Sequence, residues 1–283
     1  NAGIDIIGEN SLCNYATDPL INIVTSALII LGGLGYIVWW DVLRVIKSRS
    51  PKNRKIFRHL TLHSKIAITA TAGLILVGAI LIFAFEYANP LTIGEMSLFD
   101  KIQVSFFQSV TTRTAGFATV PQENLTNASA AVSIILMLVG GSPVGTAGGM
   151  KTVTIAVLVC SAFATIRNKN GATLFGRRIS EESIKKAVAV VVMFLTICAT
   201  STVLLMATSN ASAIDAVYET VSATATVGLS RNLTATLNTF GRLIIIVTMY
   251  FGRVGPISLA VALGSKSVSQ NVISEPTEDI SIG

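Results

Sequence analysis

Three short words with a glycine at the third position hold the residues best suited to chemistry: Asn1-Ala2-Gly3-Ile4, Thr114-Ala115-Gly116-Phe117 and Thr226-Val227-Gly228-Leu229. Their glycines are 113 and 112 residues apart, and each word leads through a polar stretch into a long apolar run. The chemistry such words offer is ligation by backbone. Carbonyl oxygens are hard ligands that can replace the water around an alkali cation, with no need of a nucleophile or general base. A fixed period marks structural repetition, and glycine frees the backbone for conformations closed to other residues. The expectation is a re-entrant pore loop used several times around one axis. Its ion-binding positions would be Asn1, Ala2, Gly3, Thr114, Ala115, Gly116, Thr226, Val227 and Gly228. Helix packing through small residues is the plain alternative for the glycines. That alternative leaves unexplained why Gly116 and Gly228 each follow a short amphipathic run. Thr112, Thr114, Thr224 and Thr226 flank the glycines as further candidate ligands, or as threonines back-bonded within helices.

A second constellation lies at Gly140-Gly141-Ser142-Pro143-Val144-Gly145-Thr146-Ala147-Gly148-Gly149, followed by Met150 and Lys151. Five glycines and a proline in ten residues cannot hold a continuous helix. Unwound backbone at membrane depth is tolerated only where it lines a cavity or is buried in protein. A passive kink needs less than this, so a mobile gate is the expected role of Gly140, Gly141, Ser142, Pro143, Gly145, Gly148 and Gly149. Lys151 joins that group as a cation at membrane depth, or snorkels toward water. Arg253 lies in the middle of the last apolar run. A central arginine costs about 2.5–3.5 kcal/mol on insertion scales and must face protein or water. It is expected to be a fixed charge in the permeation path that holds the loop closed, with a structural pairing to a buried carbonyl or to Glu219 as the alternative. Arg113 and Glu219, beside two of the words, are expected to support them by hydrogen bonds.

These residues need elements that place them inside a bilayer, and the composition supplies them. Hydrophobic residues make up 51% and charged residues 13% of 283 residues, with a mean hydropathy of +0.67, well outside the range of soluble domains. Four apolar runs of about 20 residues match a hydrocarbon core of about 30 Å: Leu20 to Trp40, Ile66 to Phe85, Ala187 to Ala207 and Leu243 to Leu263. A fifth, Ala128 to Ile166, is broken in its middle by the glycine-rich stretch. Phe99 to Thr112 and Ile214 to Thr224 have a helical pattern but are too short and polar to cross. They suit pore helices that enter halfway and end at a glycine word.

Charge fixes the orientation. Fourteen of the 21 basic residues fall in two segments, Arg44 to Lys65 and Arg167 to Lys186, while the opposite loops carry mostly acids. By the positive-inside rule the basic segments face the cytoplasm, which puts the glycine words outside and the C-terminus inside. The net charge of +6 is therefore not a nucleic-acid surface. Cys13, Cys160 and Cys198 have no metal or redox spacing and read as packing residues. His59 and His63 read as a solvated face, and Trp39 and Trp40 as interfacial anchors. No paired carboxylates, metal cluster or activated serine lies within a span, so an enzyme is not expected.

The fold expected is an all-α integral membrane protein with a pore-loop, channel-like arrangement. Its unit is helix, pore helix, filter, helix, and about two and a half of four units are present. The divisions are 1–63 for the back half of one unit, 64–176 for the next with its broken helix, 177–264 for the last, and 265–283 for a cytoplasmic tail. The tail, with Glu275, Glu278 and Asp279, is either a disordered end or a packed contact. A sequence lacking its N-terminal part is the expected reason for the incomplete ring.

The ordered motifs resemble the Trk/Ktr/HKT superfamily of potassium and sodium translocating membrane proteins, most closely its Ktr-type membrane subunits. The three glycine words match the family's second, third and fourth filters in order, and Gly140 to Lys151 resembles its intramembrane gating loop. Met249-Tyr250-Phe251-Gly252-Arg253-Val254-Gly255-Pro256 resembles the signature of its last helix. The resemblance implies a potassium uptake subunit of the plasma (inner) membrane that works as a homodimer in the lipid bilayer. It also implies a cytosolic RCK/KTN-type regulatory ring that binds ATP or ADP, with sodium as a candidate activator. No nucleic acid is implied. The first filter word is absent, so the ion preference rests on three glycines. A sodium-coupled or sodium-permeable secondary transporter with broken helices is the alternative.

Overall fold

The structure is a computed structural model that describes residues 10–48, 56–169 and 171–255, together with positions 1, 3, 4, 6 and 8. Ala2 of the first glycine word lies outside the described residues, as do Asp5, Glu9, Arg49, Lys52, Arg54 and Lys55. So do Pro256, the second half of the last apolar run and the tail 265–283.

The regular elements of the described part are helices, apart from one hairpin of two-residue strands and an isolated bridge between Val139 and Met150. In chain order the helices are α1 (Pro19–Gly33), α2 (Tyr36–Lys47), α3 (Ile56–His59), α4 (Leu62–Glu86), α5 (Leu98–Thr111), α6 (Asn127–Leu138) and α7 (Thr152–Ile166). The hairpin β1 (Thr173–Leu174) and β2 (Arg177–Arg178) follows. Then come α8 (Glu181–Thr208), α9 (Ala213–Thr224), α10 (Leu233–Thr236) and α11 (Thr239–Val254). Among the described residues α4 and α8 are each long and apolar enough to cross a membrane. Their outer faces expose Leu76, Val77, Ile80, Val203 and Leu204, as a lipid-facing surface requires. The chain is a multi-pass membrane protein.

Local chemistry sets the ends of these elements. The short helices α5 and α9 start alike: the Ser97 and Ser212 hydroxyls accept from the amides of Asp100 and Asp215 and donate to their carboxylates at 2.6 Å. This reciprocal cap satisfies orphan donors and favours acid in the first turn. Asp18 caps α1 ahead of a proline at its first position. Both short helices are largely buried, α5 against α1 and α4, and α9 against α6, α8 and α11. The helix after one glycine word thus packs on the short helix that leads to the next: α1 on α5, then α6 on α9.

The first apolar run is not one straight span. It bends by 91° between α1 and α2. The reason is Gly32-Gly33-Leu34-Gly35, whose last glycine sits at φ +82° with its α carbon against the Pro143 carbonyl. The fifth run breaks where the glycine-rich stretch predicts, between Leu138 and Thr152.

A buried carboxylate staples one end of the bundle. Glu86, the last residue of α4, is 1% exposed and accepts from Thr92 Oγ1 at 2.6 Å, Asn89 Nδ2 at 2.7 Å and both the amide and hydroxyl of Thr126 at 2.9 and 2.7 Å. Thr126 in turn caps α6. Glu86→Ala strands four donors and is expected to destabilise the protein by about 3 kcal/mol. A thermal melt of the detergent-solubilised protein reads this, and an unchanged midpoint would show that the staple carries no stability.

Candidate functional site

The three glycine words come together. A Cβ placed on Gly3 would lie 3.5 Å from Gly116 Cα, and one on Gly116 would lie 3.3 Å from Gly228 Cα. On Gly3 it would also collide with the Ala115 carbonyl oxygen, and on Gly116 with that of Val227. Only residues without side chains allow backbones this close. The second word thus lies between the other two and touches both, carbonyl against α carbon.

Their backbone is unusual in a consistent way. Thr114 and Gly116 have φ of +63° and +84°, with Ala115 between them outside that region; Thr226 and Gly228 have +55° and +97°, with Val227 between them outside it. Gly3 is at +60°. A β-branched residue at positive φ is a genuine outlier, and such strain persists where the surroundings over-determine it, commonly at functional sites. The surroundings here are the short helices. The amides of Ala115 and Gly116 donate to the Thr111 carbonyl at 3.0 and 3.4 Å. Val227 N donates to the Ser222 carbonyl at 2.8 Å and Gly228 N to Ser222 Oγ at 3.2 Å. With these N–H groups turned back into α5 and α9, the carbonyl oxygens of these words are left free, as is the buried Thr114 hydroxyl.

The glycine-rich loop is pinched at its base and lies against the words. Gly140 N donates to the Met150 carbonyl at 2.8 Å and Thr152 N to that of Gly141 at 3.1 Å. The loop is held from the bend of α1 and α2: Ser142 N donates to the Gly33 carbonyl at 2.8 Å and Tyr36 N to that of Val144 at 3.0 Å. Gly148 packs on Thr226 and Ala225, where a Cβ would fall 2.9 Å from the Ala225 carbonyl oxygen. Thr146 Oγ1 donates to Asn1 Oδ1 at 2.8 Å. The loop therefore touches the first residue of two of the three words.

Two cations hold the loop. Arg253 Nη1 donates to the Thr146 carbonyl at 3.2 Å, and Lys151 Nζ donates to that of Ala147 at 2.5 Å. Among the described residues no ion pair joins Arg253 to Glu219. Glu219 instead accepts from Ser230 at 2.7 Å and from Thr234, fixing the segment that follows Gly228. Arg113 donates to the Gly140 carbonyl at 3.1 Å, so it ties its word to the start of the loop. Arg253 also lines two cavities: one of about 450 Å³ shared with Asn1, Thr226 and Gly228, and one of about 400 Å³ shared with Gly145, Gly148, Gly149 and Lys151.

Several contributors escape a reading of the sequence. Gln122 takes Gln108 Nε2 at 2.7 Å and the Tyr218 hydroxyl at 3.0 Å on one carbonyl, joining α5 to α9 behind the words. Arg231 pairs with Asp215 at 2.7 Å and donates to the Gln122 and Leu125 carbonyls. Neither residue sits in a motif. Thr146 lies inside one, yet only its contacts distinguish it from its neighbours. Among the described residues no group of His, Cys, Asp and Glu could hold a metal ion through side chains.

Comparison with known proteins places this arrangement. The chain is 38% identical to the Ktr system potassium uptake protein B of Vibrio alginolyticus over 263 residues, 93% of this chain and 56% of that protein. It is 36% identical to the protein of the same name in Bacillus subtilis strain 168, over 96% of this chain and 59% of that one. The potassium/sodium uptake protein NtpJ of Enterococcus hirae is also 36% identical, over 93% of this chain and 57% of that protein. The chain spans a little under three-fifths of the length of these relatives. A crystal structure of the potassium transporter TrkH from Vibrio parahaemolyticus shares the fold, with a TM-score of 0.73 over 90% of this chain and 54% of that one at 16% identity. The TrkH family of cation transport proteins matches residues 1–273, and the chain belongs to that family.

Proposed function

We propose that this chain forms the ion-conducting path of a potassium uptake protein, with the glycine words as its selectivity filter and the loop 140–151 as a gate at one mouth of that filter. The observation that carries the reading is the meeting of three words, in two of which the amides are turned back into the short helices and the carbonyls are left free. Such oxygens replace the hydration shell of an alkali cation. The names of the Vibrio and Bacillus relatives, potassium uptake proteins, agree with it. The loop is assigned as the gate because it seats on the first residues of two words and is tied there by Arg253.

Potassium is the substrate of this reading. Sodium is a second permeant ion, as the name of the Enterococcus relative suggests. The basic segments face the cytoplasm and the filter faces outside, and a nucleotide-binding ring docks on the basic side, leaving ATP or ADP off this chain. The protein works as a homodimer in the plasma (inner) membrane. A secondary transporter with broken helices has the two interruptions, at Gly33–Gly35 and at 139–151, in its favour, but its inverted repeats have no counterpart in units that share one orientation.

The test is uptake by the full-length protein in proteoliposomes, with and without residues 142–148. Potassium uptake exceeding sodium uptake, and rising about tenfold or more without the loop, is the expected result; a tenfold change corresponds to about 1.4 kcal/mol off the closed state. A folded deletion variant that conducts no faster than the parent would show that the loop is not the barrier.

A further inference from the structure

One residue of the three words does not fit their common pattern. The first position is Thr in two of them and Asn in the other. Asn1 reaches farther than a threonine would, and its planar amide carries a donor and an acceptor on separate atoms. Both are used. Asn1 Nδ2 donates to the Arg113 carbonyl at 3.0 Å, and Asn1 Oδ1 accepts from Thr146 Oγ1 at 2.8 Å. The Arg113 carbonyl immediately precedes Thr114, the strained first residue of the neighbouring word. Thr146 is the loop residue whose own carbonyl is held by Arg253.

The seat of this amide is built for it. A Cβ on Gly32 would fall 2.7 Å from Asn1 Oδ1 and 3.2 Å from Thr146 Oγ1. The bend of the first span, at a glycine pair, thus leaves the space in which word and loop touch.

We propose that the Asn1 side chain couples the filter to the gate, so that potassium in the filter releases the loop. This rests on the reading of the words as filter and of the loop as gate. An ion draws the filter carbonyls toward itself. As the Arg113 carbonyl turns with its word, Asn1 Nδ2 loses its acceptor, the amide rotates, and Thr146 loses its partner. The coupling is reciprocal, because a loop held away must raise the filter's affinity for potassium by the same factor. Asn1 acts here as a positioning residue, through Arg113 on one side and Thr146 on the other. A threonine at this position would leave the two sides unconnected.

The experiment uses the full-length protein with its native cysteines replaced, Cys13, Cys160 and Cys198 among them, and with Val144→Cys as a reporter, since Val144 is an exposed loop residue. The rate of thiol modification is measured in potassium and in sodium, beside potassium-selective thermal stabilisation. In the parent, potassium is expected to speed modification by about fivefold or more, the lower end of usual coupling factors. Thr146→Val, which leaves all three words intact, is expected to give the fast rate in either ion while potassium-selective stabilisation persists. Asn1→Thr is expected to give the same flat response, and the double variant to add nothing to either single one. A potassium effect that survives in either single variant overturns the coupling, as does a double variant whose effects add. A parent stabilised by potassium but with no potassium effect on modification also overturns it. A parent with no potassium-selective stabilisation overturns the filter reading itself.

Discussion

Gly116→Ser in the full-length protein is expected to lower the preference for potassium over sodium by about tenfold or more. Two costs fall on this residue together. Its φ of +84° is one that side chains rarely adopt, and its Cβ would enter the Val227 carbonyl oxygen. The backbone strain alone is worth about 1–3 kcal/mol, and about 1.4 kcal/mol is a factor of ten. The carbonyl must move, and the position of that oxygen is what fits a dehydrated potassium ion better than a smaller one. Gly228→Ser shares the backbone cost, with φ at +97°. Competition between the two ions for uptake, measured per folded protein, reads the loss. Equal selectivity in parent and Gly116→Ser would remove the glycine words from the filter.

The sequence exposes the repeated parts of this fold because repetition is visible without geometry. Three glycine words at a near-constant spacing, two short helical runs ending at them and one glycine-rich interruption are all legible, and α5, α9 and the break between α6 and α7 lie where these signals put them. Long apolar runs are legible for the same reason that bilayers select them. The bend at Gly33–Gly35 is not, since hydropathy runs straight through it. The triple glycine was its signal, but glycine is common in membrane helices, and only a partner for the freed carbonyls decides between packing and a break. That partner is the glycine-rich loop, more than 100 residues away. Asn1, Arg113 and Thr146 illustrate the same limit. Each sits in a readable motif, yet the sequence does not say that one amide touches the other two. Side-chain contacts between repeats depend on how the repeats are arranged in space, and spacing along the chain carries no record of it.

Arg253→Gln is expected to raise potassium flux through the full-length protein by about tenfold, since hydrogen bonds from a charged group contribute about 1.5–3 kcal/mol. The guanidinium holds the Thr146 carbonyl and lines the cavities that contain both the first filter residues and the loop. It can therefore oppose flux in two ways, by tying the loop shut and by repelling a passing cation in a medium of low dielectric. Arg253→Lys separates them. Lysine keeps the charge but presents a mobile ammonium in place of a rigid fork of donors. Lys flux equal to that of Gln assigns the effect to the lost tie, while parent-like flux in Lys with raised flux in Gln assigns it to charge. Lys151 makes its own bond to the Ala147 carbonyl, one residue along the loop, so the double change Arg253→Gln with Lys151→Met should exceed either alone if the tie dominates. A structural role predicts the reverse of all this, because a lost contact between helix and loop lowers the yield of folded protein and leaves flux per molecule unchanged. Flux normalised to folded protein, taken beside the thermal midpoint, therefore decides whether Arg253 restrains the ion path or merely holds the helix in place.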